Sequence, residues 1–88
     1  MKKREFCALC IKHDKKTVLD REITYKLFLV RKSGDLYYTI RVSDGDECEK
    51  SCFGSVRSRA VDIYQKIVRN EVTPCTLRDI AEDFAKER

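Results

Sequence analysis

Ile23-Thr24-Tyr25-Lys26-Leu27-Phe28-Leu29-Val30-Arg31-Lys32-Ser33-Gly34-Asp35-Leu36-Tyr37-Tyr38-Thr39-Ile40-Arg41-Val42 is the stretch on which the fold turns. Successive side chains of a strand point to opposite faces, so every second residue shares a surface. Ile23, Tyr25, Leu27 and Leu29 share one before the Ser33-Gly34-Asp35 turn, and Leu36, Tyr38, Ile40 and Val42 share one after it. Two alternating runs around a tight Gly-containing turn predict a β-hairpin with one apolar face. The β-branched and aromatic residues of both runs suit a half-buried pleated surface.

Upstream, residues 5–13 are nearly continuous in apolar side chains from Phe6 to Ile11 and predict a covered strand. A turn is expected at His13-Asp14-Lys15-Lys16, leading to strands over residues 17–32 and 35–43. Downstream, residues 44–54 carry Asp44, Asp46, Glu47 and Glu49 and predict a solvated acidic loop. A calcium loop needs a longer ladder ending in a bidentate Glu, which Ser51-Cys52 interrupts. Beyond it the period becomes helical. Val56, Ala60, Ile63 and Ile67, widened by Tyr64 and Val68, make a stripe over a helix expected at 55–70, with Ser55 as N-cap and Asn70 at its end.

The last segment, Val72-Thr73-Pro74-Cys75-Thr76-Leu77-Arg78-Asp79-Ile80-Ala81-Glu82-Asp83-Phe84, predicts a stop and a restart. Pro74 blocks continuation of the first helix. Thr76 with Asp79 reads as a weak capping box, and Cys75 with Ile80 as the staple, for a helix over 76–87. Leu77, Ile80, Ala81 and Phe84 form its buried stripe. The expected architecture is therefore α+β: a three-stranded antiparallel meander with two C-terminal helices on one face, β-β-β-α-α, in a single domain of residues 1–88.

That closing segment resembles a family of short proteins of no established activity from clostridia-like Gram-positive bacteria. Asn70, Val72, Thr73, Pro74, Leu77, Asp79, Ile80, Glu82, Asp83 and Phe84 match its pattern, and the similarity extends over about residues 23–86. Cys75-Thr76 and the five cysteines depart from it. The resemblance implies a soluble bacterial protein and this fold. It implies no substrate, cofactor or catalytic residue.

Composition narrows the function. Apolar residues make up 42% and charged residues 39% of 88, so one thin core is available and a deep catalytic pocket is not expected. No apolar run approaches the roughly 20 residues a spanning helix needs. Met1-Lys2-Lys3-Arg4 is basic, but Glu5 to Lys16 is too charged for a signal peptide, which predicts a cytoplasmic protein. Residues 1–43 hold eleven Lys/Arg against five Asp/Glu, and residues 44–88 hold eight against ten. The basic first half permits an anionic partner.

Cys7-x-x-Cys10-x-x-His13 and Cys48-x-x-x-Cys52 have the spacing of zinc ligands. On a strand, however, positions 7 and 10 point to opposite faces. No helix begins at Cys7 to lower a redox thiol pKa, and an odd cysteine count does not complete a disulfide framework. Asp79, Glu82 and Asp83 share an exposed helix face rather than opposing one another across a cleft. His13 is the only histidine, and three glycines make no phosphate loop. No catalytic, cofactor or metal residue is assigned, and no enzyme is expected. The acidic last helix also argues against a helix-turn-helix.

The surface that remains is the sheet face away from the helices. Strand parity assigns it Lys26, Phe28, Val30, Lys32, Tyr37, Thr39 and Arg41, joined by Phe6. Three readings stand open: an apolar contact for a protein partner or a second copy, a base-stacking and phosphate-holding platform, and ordinary variation on a half-exposed sheet. The first leads, as a non-catalytic interaction or regulatory module that self-associates. A nucleic-acid binder is the alternative. No membrane and no small-molecule substrate are expected.

Overall fold

A computed structural model of the chain describes the backbone of residues 6–86 and the side chains of residues 7–86. The expected hairpin forms its centre. β2 (Arg21–Lys32) and β3 (Asp35–Asp44) pair antiparallel with Ile23 opposite Asp44 and Lys32 opposite Asp35. Ile23, Tyr25, Leu27, Tyr38, Ile40 and Val42 are all buried on one face, as their alternation requires.

The sheet has four strands, not three, in the order β1-β2-β3-β4. β4 (Glu47–Cys52) occupies the segment expected to be an acidic loop. A turn with Gly45 at φ +60° folds it back onto β3, where Asp44 faces Glu47 and Thr39 faces Cys52. Its side chains are almost all polar, so it has no apolar period. Backbone pairing to β3 and the buried Phe53 at its end hold it in place. Asp44 is likewise not solvated: it is buried and paired to Arg21 at 3.0 Å.

β1 (Phe6–Val18) also differs from expectation. It runs straight through the turn expected at His13–Lys16, and the chain reverses at Leu19-Asp20, both with positive φ. This places the second strand at Arg21 rather than at 17. An edge strand tolerates the charges of residues 13–16 because one of its sides is free. A β-bulge between Cys10 and Lys12 inserts one extra residue at Ile11 and shifts the register. After the bulge, Lys12, Asp14 and Lys16 lie opposite Leu27, Tyr25 and Ile23, while His13 lies opposite Lys26.

Two helices cover one face. α1 (Arg57–Arg69) begins after Val56, which stands at the N-cap without a side-chain bond, so Ser55 is not the cap. Val56 is therefore outside the buried stripe and 57% exposed, whereas Ala60, Tyr64 and Ile67 are buried. Asn70 ends the helix as expected. Glu71 follows in the left-handed conformation (φ +54°), donating its N–H to Val68, and the N–H of Val72 reaches the carbonyl of Ile67. These two bonds and the buried Val72–Ile67 pair make a Schellman motif, so α1 stops before Pro74 is reached.

α2 (Pro74–Lys86) starts at the proline itself. A missing N–H costs nothing at the first helical position. Thr76 is thus inside the helix and the expected Thr76/Asp79 capping box does not form. The Thr73 carbonyl accepts from Leu77, and the Thr73 and Thr76 hydroxyls lie 3.2 Å apart. Residue 87, the expected helix end, lies outside the described residues.

α2 packs over β3 and β4, and α1 touches β2 and β3. Leu77 is buried, and Ile80, Ala81 and Phe84 pack against the core. Phe84 meets Phe53 edge-on at 5.4 Å between ring centroids, with the Arg59 guanidinium 4.9 Å from the Phe84 ring. The Tyr25 hydroxyl donates to the Val72 carbonyl at 3.0 Å, tying the helix–helix corner to the sheet. The Tyr64 hydroxyl donates to the Asp14 carboxylate at 2.7 Å, with the Tyr25 carbonyl as a second acceptor at 3.1 Å. Leu36, expected on the covered face, is 51% exposed and stands outside the core cluster.

Candidate functional site

Among the described residues no helix covers the other face of the sheet. Register sorts its side chains into rows that run across the strands. One row is Ala8–Val30–Tyr37, the next Cys10–Phe28–Thr39–Cys52, the next His13–Lys26–Arg41–Lys50, and then Lys15–Thr24–Ser43–Cys48. Neighbouring strands lie about 4.8 Å apart, so the third row spans about 14 Å.

Most of the residues that parity assigned to this face come together. Phe28, Val30, Tyr37 and Arg41 line one open depression of about 370 Å³, with Ala8, Thr39, Lys50, Ser51 and Cys52. Lys26 stands beside it, directly opposite Arg41. Val30 is only 4% exposed, and Phe28 and Tyr37 are half-buried, so the floor is apolar but offers little free apolar surface. Lys32 is exposed at the far end, opposite Asp35, and does not reach the depression. The backbone of Phe6 pairs with Lys32, and its side chain lies outside the described residues.

Two members of the basic row escape a reading by parity. Lys50 belongs to β4, and the signal for it was Asp44-Gly45-Asp46, a hairpin turn ahead of an alternating polar run. His13 reaches this face only because of the bulge at Ile11, which inverts the parity of everything after it. The bulge has no sequence signature.

Like charges directly opposite one another on adjacent strands destabilise a sheet by about 0.2–1 kcal/mol per pair. Lys26–Arg41 and Arg41–Lys50 are two such pairs, side by side. None of the three cations is within ion-pair distance of a carboxylate among the described residues. The Arg41 Nε instead donates to Cys48 Sγ at 3.1 Å, and the Ser43 hydroxyl to the same sulfur at 3.5 Å. The Ser43 hydrogen bond lowers the Cys48 thiol pKa most; burial opposes it, and the Arg41 bond with the Arg41 and Lys50 charges lowers it further, so the net direction is down.

All five cysteines are free and exposed. Cys7 lies opposite Arg31 and Cys10 opposite Phe28, on different faces of the sheet. Among the described residues no three His, Cys, Asp or Glu side chains are grouped to hold a metal ion, and no helix is long and apolar enough to cross a membrane. No protein family, no curated protein and no solved structure matches the chain. The resemblance carried by Val72 to Phe84 therefore rests on those residues alone.

Proposed function

We propose that this protein is a non-catalytic, cytoplasmic module whose helix-free sheet face binds single-stranded nucleic acid. Bases would stack in the depression against Phe28 and Tyr37, and phosphates would lie along Lys26, Arg41 and Lys50. The observation that carries this reading is the cationic row, an electrostatic load on the sheet that a polyanion would relieve. Stacking on aromatic side chains beside a basic track is how sequence-tolerant single-strand binders work. Free, exposed thiols suit a reducing compartment.

Self-association through this face, the leading expectation from sequence, is less well supported. A two-fold interface sets a patch against itself, which would press the cationic row toward its own copy. The buried Val30 also leaves less apolar surface than parity suggested.

Fluorescence anisotropy with labelled oligothymidylate, read between about 50 and 200 mM salt, tests the proposal. Three phosphate contacts give a slope of about −2 in log K against log salt. Arg41→Ala is expected to reduce that slope by about 0.7, and Phe28→Ala to weaken binding by about 1–3 kcal/mol. Salt-independent binding, or binding indifferent to Arg41→Ala, refutes it. A dimer in light scattering that Phe28→Asp dissolves would restore self-association.

A further inference from the structure

The basic row does not end at the edge of the sheet. β1 is an edge strand, paired among the described residues to β2 alone, so its outer backbone groups have no strand partner there, although the Lys12 carbonyl accepts from Cys10 Sγ at 3.3 Å. Residues 12–16 of β1 alternate between the two faces, and the bulge sets which of them goes to which. His13 and Lys15 lie on the helix-free face, and Lys12 and Lys16 on the helix face. There Lys12 and Lys16 meet Arg69 of α1 around a crevice of about 420 Å³. Asp14, the carboxylate in that crevice, is engaged by the Tyr64 hydroxyl at 2.7 Å. Lys12, Lys16 and Arg69 are not within ion-pair distance of any carboxylate among the described residues.

Part of this has a structural explanation. Lysines on an edge strand discourage sheet-to-sheet pairing, and a cation in the last turn suits the dipole of α1. Neither accounts for three cations from two elements converging on one crevice, continuous with a basic row around a free strand edge.

We infer that the strand held by the open face turns over the β1 edge and continues into the β1–α1 crevice, where Lys12, Lys16 and Arg69 take its next phosphates. This rests on the nucleic-acid reading above and sharpens it. Sugar and phosphate groups crossing the edge can bond the outer backbone of β1. A path folded around the edge of a sheet admits a flexible single strand and excludes a duplex, whose persistence length is about 150 base pairs.

The test compares oligothymidylates of about four and about twelve nucleotides, lengths at the lower and upper parts of the range that one small domain covers. The variants are Lys12→Gln/Lys16→Gln/Arg69→Gln together, Lys12→Gln alone as a guard against misfolding, and Arg41→Ala. The triple variant is expected to bind the short strand as wild type does, and the long strand about tenfold or more weaker with a shallower salt slope. Lys12→Gln should show the same length dependence in smaller measure. Arg41→Ala should weaken both lengths, and a duplex of the longer sequence should compete poorly. Equal binding of the long strand by wild type and triple variant, equal weakening of both lengths, or a duplex that competes as well as the single strand overturns the inference. If Arg41→Ala still weakens both lengths, the open-face reading survives that failure. If wild type binds neither length, the open-face reading itself has failed.

Discussion

Glu71 stands in the left-handed region at the end of α1, a conformation in which a side chain costs about 1 kcal/mol relative to glycine. Glu71→Gly is therefore expected to raise stability by about 0.5–1 kcal/mol, read by urea denaturation. Burial, with the charges of Glu71 and Asp44 adding to it, pushes the Tyr25 phenol up to about 12, and burial with the Asp14 hydrogen bond pushes Tyr64 higher still. Both shifts favour the neutral phenol in the folded state. Their contribution is complete below the unfolded pKa of about 10 and is lost as pH rises through the folded values. Alkaline unfolding should accordingly begin near pH 10, with tyrosinate absorbance and loss of circular dichroism rising together. Tyrosinate absorbance that rises well before the structure is lost would contradict this. Tyr64→Phe should destabilise by about 1–2 kcal/mol. Cys48 should be the fastest of the five thiols to alkylate at neutral pH, and Arg41→Ala should slow it, as mass spectrometry of timed iodoacetamide reactions would reveal.

Hairpin turns and edge strands are where sequence and structure part. The covered face of β2 and β3 was legible because burial acts on every second residue, from Ile23 through Val42, and leaves a period behind. β4 was not, because the backbone of Glu47–Cys52 pairs with β3 and the strand asks nothing apolar of its own side chains. The turn at Leu19-Asp20 was hidden for a different reason. A leucine with φ +51° that is 90% exposed is a poor choice at a site that favours Asn-Gly. Leu19→Asn/Asp20→Gly should stabilise the protein by about 1 kcal/mol or more, with an unchanged sheet by circular dichroism. The cap of α2 differs for a similar reason: Pro74 blocks the helix before it, and its fixed φ serves equally well as the first residue of the next. In the candidate site, Phe28, Tyr37 and Arg41 followed from parity. His13 depended on a bulge that local pattern does not announce, and Lys50 on a strand whose one local signal is the Asp44-Gly45-Asp46 turn ahead of it.

Across the whole molecule the two faces of the sheet divide the work. Nearly all the apolar burial lies on the helix side, and Lys26, Arg41 and Lys50 line up on the other side. Lys50→Glu would turn a repulsive cross-strand pair with Arg41 into an attractive one. It should raise the melting temperature while abolishing oligothymidylate binding, and a variant that bound as before would count against the open face as the site. The bond from Tyr25 to Val72 has a further consequence for motion. It anchors the helix layer at the corner between α1 and α2, so opening should begin at the far ends of both helices and converge on that corner. Amide hydrogen exchange would then be slowest at Tyr25 and at Glu71 and Val72. Tyr25→Phe would release the corner and let both helices exchange through a common opening, with β2 and β3 left protected.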